Sequence, residues 1–393
     1  MSREFSSQSI APSTGKRPYR FGFLLSIAMG NATRYQNLRK YAERDPEVEC
    51  VWAPVKHYIA PDEPNPLRYL PEPLYSRAVV IYQSSPVLRQ MGQLDAVMIH
   101  LFEAYTLACA RSVFSSRPLL VNAHDDPPVV NPETYPLYEN RLMRSSWRRK
   151  FRLGLDLWCA KRTSLFLPWS DWGRNVWVDE CHVSPEKVYP IHVGIDLDLW
   201  PYTPKPEAAP TAKPKILFVG GEFVRKGGDL LLDVYRQQFA DQAELHLVTR
   251  QPPEHLPPNV YVYTNLTPND NRLSQLYAQA DLFVLPTKAD LSSFAAFEAM
   301  ASGCPVISTD VGGVPDIVRH GETGFIIPRN DATALAKAME ALIGNPTLRR
   351  EMGVSGRAIV ERDYSAAVNV PQILKVMKQT VDQHQLATQK ARS

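Results

Sequence analysis

The sequence contains no run of about 18 consecutive apolar residues, so it offers no helix that would span a bilayer. Cysteine is scarce: Cys50, Cys109, Cys159, Cys181 and Cys304 are the five present. An odd number at wide spacing, with no Cys-x-x-Cys pair, argues against a disulfide framework or a thiolate zinc site. It predicts reduced thiols in a cytosolic enzyme. Net charge is small as well. The 44 Lys and Arg against 41 Asp and Glu leave +3 over 393 residues, which gives no whole-chain attraction to nucleic acid. The segment Met1 to Lys16 has no apolar core, so it reads as a disordered lead-in through residue 17 rather than a signal peptide.

What the chain does have is alternation. Apolar residues make up 44% and charged residues 22%, enough to bury sizeable cores, and the length exceeds what one core usually spans. Short apolar runs alternate with amphipathic stretches. Tyr19 to Ser26 reads as a strand and Asn31 to Arg44 as a helix. Leu94 to His100, Pro118 to Ala123, Ser164 to Trp169 and Lys187 to His192 read as further strands. The pattern restarts with Lys215 to Val219, Glu244 to Thr249, Val260 to Thr264, Asp281 to Pro286 and Pro305 to Thr309 as strands. Gly228 to Phe239 and Phe294 to Ser302 read as helices, and the last third is mostly helical. Such alternation predicts an α/β protein with two doubly wound parallel sheets. Residues 18–200 and 215–365 form the two domains, joined by a Pro- and Ala-rich linker at 201–214. A tail at 366–393 includes a helix at about Val368 to His384. Ligands of such sheets bind at the carboxyl ends of the strands, so the cleft between the domains is the expected site. Pro54 to Pro73 holds six prolines and reads as a long loop, either a surface excursion or part of an acceptor pocket.

Two segments carry candidate chemistry. Phe218 to Gly228 (FVGGEFVRKGG) joins a strand to a helix. Its four glycines, Gly221 among them, permit close backbone approach, and Arg225 and Lys226 supply cations. A helix N-terminus so equipped suits a diphosphate, though a bare strand-to-helix turn would use the same glycines. The second segment runs from Pro286 to Val318. Asp290 and Glu298 stand eight positions apart, and Ser292 and Ser293 are placed to cap a helix from Phe294. Two carboxylates at that spacing address two ends of one polar ligand through its hydroxyls. Without further context, the favoured reading is Asp290 as a cap and Glu298 as a solvated helix residue.

The context comes from the run EAMASGCPVISTDVGGVPDIV followed by HGETGFIIP. With VGG–RKGG upstream and GIDLDLW at Gly194 to Trp200, it closely resembles family four of the GT-B-type glycosyltransferases (glycosyl transferases group 1). The resemblance is strongest from about Ser170 to Arg362. It implies two Rossmann-like domains facing across a cleft, with the last helix crossing back to the first. It implies transfer of a hexose from a nucleotide-diphosphate sugar with retention of configuration, without metal. A UDP-sugar is favoured over a GDP-sugar. By this resemblance Arg225 and Lys226 hold the donor diphosphate, Glu298 the ribose hydroxyls and Asp290 the transferred sugar, with backbone amides of Ser292 to Phe294 touching sugar or phosphate. Met29, Gly30 and Asn31 match the family's glycine-containing loop. His124, in VNAHDD, matches its histidine near the transferred sugar. Asp196 and Asp198 form Asp-Leu-Asp outside the second domain and read as structural.

The chain departs from the family twice. The first acid is Asp290 where Glu is usual, followed by Leu291, Ser292 and Ser293 in place of Gly-Phe-Gly. Gly221 stands where many relatives carry Arg, leaving Arg225 as the second cation. The rival reading from another class is a glycosyltransferase-like binding protein without turnover. A nucleotide-sugar epimerase shares the architecture but not the EAMASGCPV motif. The acceptor class is open among lipid-linked, saccharide and small-molecule hydroxyls, and oligomeric state has no signature. Finally, Arg141, Arg144, Arg148 and Arg152 fall at helical spacing with Trp147 and Phe151 between them. This reads equally as an anionic-membrane contact on the cytoplasmic face or as a solvated helix face.

Overall fold

A computed structural model describes residues 17–27, 31–60, 62–72, 74–113, 118–124, 146–204, 213–267, 270–391 and 393. The first sheet holds five parallel strands in the order β2-β1-β3-β4-β5. These are β1 (Tyr19–Ser26), β2 (Val48–Val55), β3 (Ala96–His100), β4 (Leu119–Asn122) and β5 (Leu165–Phe166). Its helices are α1 (Asn31–Ala42), α2 (Leu74–Gln90), α3 (Phe102–Ser112), α4 (Ser146–Ala160) and α5 (Asp171–Asn175). The second sheet holds six parallel strands in the order β11-β10-β9-β6-β7-β8. These are β6 (Lys215–Val219), β7 (Glu244–Val248), β8 (Val260–Tyr263), β9 (Leu282–Leu285), β10 (Val306–Thr309) and β11 (Gly324–Ile327). Around it lie α6 (Gly228–Gln238), α7 (Asn271–Gln279), α8 (Phe294–Ala301), α9 (Val314–Ile317), α10 (Ala332–Ile343) and α11 (Pro346–Asp363).

Central strands are apolar on both faces because helices cover both. In β1 the last six residues, Phe21 to Ser26, are all buried, and β9 is buried throughout. The strand expected at Lys187 to His192 does not form. A short turn at Pro185–Lys187 and Pro190 interrupt it, leaving a single bridge between Phe166 and Val188. Two strands were not expected. Residues Val48–Val55 form β2, which ends inside the proline-rich stretch. It lies at the sheet edge, where Pro54 does not break a ladder on both sides. The other is the four-residue β11, also an edge strand.

The last helix, α12 (Ala366–Lys390), is longer than the sequence predicts and packs on the first domain. Val370, Ile373, Leu374, Met377 and Val381 join the core formed by Phe21, Phe23 and Leu38. Lys378 pairs with Asp45 at 3.0 Å and Glu47 at 2.8 Å, and the Tyr19 hydroxyl donates to Asp382. The chain thus crosses between domains twice, side by side. Ile195 N–H donates to the Tyr364 carbonyl at 2.8 Å, and Ala366 N–H donates to Ile195 at 2.9 Å. Asp196 anchors the outward crossing by accepting from Lys40 at 2.5 Å and Tyr41 at 2.8 Å. It is structural, as expected. Among the described residues no group of three metal-ligating side chains forms, and no helix is long and apolar enough to cross a membrane.

In the second sheet, strand order reverses between β6 and β9, so the loops after these strands flank a crevice. They touch through backbone. Gly227, at φ 77°, caps α6, and a Cβ there would fall on the Pro286 carbonyl oxygen. Gly321 also has a positive φ, 80°, but with open space around it. Gly321→Ala is expected to cost about 1 kcal/mol from backbone conformation alone. Gly227→Ala is expected to cost at least about 2 kcal/mol more, because the loops must part. Urea denaturation of both variants checks this; equal losses would mean that the two loops do not depend on their contact.

Candidate functional site

The loops after β6 and β9 bring together most of the residues singled out in the sequence. Lys226, at the end of the glycine turn, forms an ion pair with Asp290, 64 residues away. Asp290 is 5% exposed, so this carboxylate meets its partner in a poorly solvated place. Arg225 lies beside them but its fork is engaged. Nε and Nη2 bind Glu222 at 2.7 and 3.1 Å, and Nη1 donates to the Ala289 carbonyl at 2.9 Å. That last bond, with Lys288 N–H donating to the Arg225 carbonyl at 2.9 Å, ties the two loops together. Gly221 makes room for a different cation. A Cβ there would lie 3.0 Å from Nε and Nη2 of Arg250, an exposed residue just beyond β7. The sequence reading missed Arg250 because it stands 29 positions after Gly221, outside any motif.

Beyond Asp290 the chain turns into α8. Ser293 caps it, its hydroxyl oxygen accepting from Ala296 N–H at 3.3 Å. Phe294 is half-buried at the helix start, and Ser292 is half-buried just before the cap. Glu298 is not a solvated helix residue: it is 6% exposed. Burial pushes its carboxyl up to about 7, with the Tyr277 hydroxyl opposing the shift.

The first domain approaches from the other side of the cleft. Trp172 N–H donates to Asp316 Oδ2 at 3.0 Å, and His192 Nε2 lies 3.1 Å from Ser292 Oγ. His124 sits just beyond β4, its own N–H donating to Asn122 Oδ1 at 2.9 Å. Its ring is 4.9 Å from that of His100, at the end of β3. The row continues through Trp169 at 5.2 Å from His100, then His192 at 5.9 Å from Trp169, and Phe294 at 5.3 Å from His192. His124 and the start of α8 therefore lie at the two ends of one row of rings that runs from the first domain to the second. Arg34, buried in α1, lies 4.0 Å above the Trp169 ring and donates to the Ala123 carbonyl at 3.3 Å. Burial, with Arg34 and His124 adding to it, holds the His100 imidazole neutral. Met29 and Gly30 lie outside the described residues, as do Arg141 and Arg144.

The Glu298 carboxyl has a consequence for stability. An unfolded glutamate titrates near 4.5, and this one near 7. Between those values the folded chain binds more protons than the unfolded chain, so stability falls as pH rises through that window. The loss, on the order of 3 kcal/mol, is complete above it. Glu298→Gln removes the titration. Relative to the parent, it is expected to gain in melting temperature on going from pH 4.5 to pH 8. An unchanged difference across that range would show that Glu298 titrates normally.

Comparison with known proteins places this geometry. Residues 213–345 match the glycosyl transferases group 1 family. The chain is 27% identical over 225 residues to alpha-maltose-1-phosphate synthase of Mycolicibacterium smegmatis, covering 50% of this chain and 58% of that protein. Its matched segment thus spans a little over half of that relative. Sucrose-phosphate synthase from Thermosynechococcus elongatus superimposes with a TM-score of 0.72 at 19% identity, over 93% of this chain and 99% of that one. HepE of Anabaena, solved in complex with UDP-glucose, gives 0.64 at 16% identity, over 92% and 99%. The two parallel sheets with their helices are the GT-B arrangement of these structures, and residues 213–345 carry the likeness to glycosyl transferases of group 1.

Proposed function

We propose that this chain is a retaining hexosyltransferase. It takes a nucleotide-diphosphate sugar, a UDP-sugar ahead of a GDP-sugar, and passes the hexose to an acceptor hydroxyl. The observation that carries the reading is the meeting of Lys226 and Asp290 at the strand-order reversal, with Glu298 buried one helical turn further on. Gly220 and Gly221 yield their side-chain space to Lys226 and Arg250, which sets both cations beside the start of α6, where a diphosphate would bind. Lys226 has three donors, so it can bind a phosphate oxygen while keeping Asp290. Arg225 adds charge from a position fixed by Glu222 and Ala289, and Arg250 stands over Gly221 as an exposed cation. Glu298 accepts from the ribose hydroxyls, and Asp290 from the hexose. In the reaction the bond between the anomeric carbon and the phosphate oxygen breaks. The acceptor oxygen bonds to the same face of that carbon, and its proton passes to an oxygen of the departing diphosphate. Lys226 stabilises the charge that grows there. No step assigned here calls for a metal ion. His124 borders the hexose from the first domain.

Calorimetry with UDP, GDP, ADP and their sugar conjugates, with and without EDTA, tests the reading. One nucleotide family is expected to bind, unaffected by EDTA. Lys226→Ala is expected to lower turnover by about two to three orders of magnitude. Glu298→Ala is expected to weaken nucleotide binding and leave turnover at saturation nearly unchanged, since ribose contacts are alike in ground and transition states. Turnover of Lys226→Ala within about twofold of the parent would place the diphosphate elsewhere. Binding with no transfer to any acceptor would favour the binding-protein reading.

We propose also that α4 meets an anionic membrane face. Trp147 and Phe151, four positions apart on that helix, are 65% and 64% exposed, and Lys150 between them is exposed. Arg152 contributes less, being paired with the buried Asp156 at 3.0 Å. The chain is expected to sediment with anionic vesicles and not with neutral ones, and Trp147→Ala with Phe151→Ala is expected to release it. Equal recovery in the supernatant from both vesicles would refute membrane contact.

A further inference from the structure

His192 comes from the first domain but serves the second. It is 4% exposed and ringed by aromatic side chains. Phe297 lies at 4.4 Å, Phe294 at 5.3 Å, and Trp169 and Tyr364 at 5.9 Å, between centroids. Its Nδ1 accepts a hydrogen bond from Gly194 N–H at 2.8 Å, so that nitrogen carries no proton. In such surroundings the ring is neutral. A neutral imidazole with bare Nδ1 holds its proton on Nε2, the atom 3.1 Å from Ser292 Oγ. The bond between the domains therefore runs one way: His192 donates and Ser292 accepts.

A hydroxyl has one proton and two acceptor positions. With His192 occupying one acceptor position, the Ser292 proton remains to be donated, and no acceptor for it is recorded among the described residues. Ser292 is only half-buried and stands between Asp290 and the cap residue Ser293. The neighbouring hydroxyl of Ser293 is already turned inward to Ala296 N–H. Ser292 is thus a hydroxyl next to the Lys226–Asp290 pair, oriented by a group from the opposite domain.

We infer that Ser292 selects the sugar part of the donor by donating its proton to a sugar oxygen, and that His192 is the positioning residue that fixes this direction. The inference rests on the donor-site reading above. A site built to hydrogen-bond an oxygen discriminates against a ligand that lacks it, because a polar group is then left unpaired. The substrate class this favours is a hexose bearing a hydroxyl or carboxylate oxygen at the position facing Ser292, rather than a deoxy-sugar. The geometry also makes sugar selection depend on the domains being together, since half of the device lies in each.

The test compares dissociation constants of UDP with UDP-glucose, and of GDP with GDP-mannose, by titration calorimetry. For the pair that binds the parent, Ser292→Ala is expected to weaken the nucleotide sugar about tenfold and leave the nucleotide unchanged. His192→Phe keeps a packed ring but loses the proton, and is expected to produce the same selective loss. In the Ser292→Ala background His192→Phe is expected to add nothing; with Ser292 intact, His192→Gln, which keeps a donor, is expected to lose less than His192→Phe. For the nucleotide sugar alone, the ratio of the parent's constant to that of Ser292→Ala is expected to stay flat from pH 5 to pH 8, as a neutral donor requires, since the ligand's own ionisation cancels; an inflection near pH 6 to 7 would overturn the fixed-tautomer argument. An unchanged ratio of nucleotide to nucleotide-sugar constants in Ser292→Ala, or additive losses in the double variant, would overturn the inference while leaving the donor site standing. A parent protein that binds neither nucleotide nor nucleotide sugar would overturn the donor-site reading and this inference with it.

Discussion

The Pro286 carbonyl occupies the space that any side chain at residue 227 would need. Because glycine stands there, the loop after β6 and the loop after β9 lie backbone to backbone, and the rest of the candidate site follows from that approach. Lys226 reaches Asp290, and Arg225 reaches the Ala289 carbonyl. The start of α6 and the start of α8 open into one crevice at the strand-order reversal. Parting those loops would separate the cation from the carboxylate and leave the buried Asp290 without its half-buried partner, a costly outcome.

Around this contact the structure sets charged and neutral groups in different surroundings. The Lys226–Asp290 pair is charged and poorly solvated, so an anionic ligand meets a cation with little water to screen it. Glu298 and His192 are buried where, among the described residues, no cation balances a charge on the first and no anion a charge on the second. Burial pushes the glutamate up to about 7 and the imidazole down to about 3. His192 therefore acts as a hydrogen-bonding group of settled direction, whereas Glu298 changes its protonation near neutral pH. His192 ties this second-domain chemistry to the first domain, next to the two chain crossings that hold the halves together at Ile195 and Tyr364.

Much of this was legible in the sequence, unevenly. The spans of β1 and β6 were readable because buried parallel strands are short continuous apolar runs. The start of α6 was marked by its glycines, and the α8 cap by serine before an apolar helix. Two of the four edge strands, β2 and β11, were not readable. In β2, Pro54 and the mixed polarity of VECVWAPV hide a strand that pairs on one side only, and β11 is four residues long. The Lys187 to His192 stretch has strand-like composition, but the first sheet ends at β5 and offers it one bridge.

By itself the sequence determined the two doubly wound sheets, the glycine turn with its cation, the eight-residue spacing of Asp290 and Glu298, and the helix cap between them. All of these are set by interactions over a few residues: periodicity, backbone freedom and capping. The tertiary structure alone decided which groups face one another. It engages Arg225 with Glu222, brings Arg250 over Gly221, buries Glu298 and carries His192 to Ser292, 100 residues away. Such meetings depend on where distant strands end and how the domains close. Local pattern holds no information about either, because contacts between remote segments are fixed only when the whole core packs.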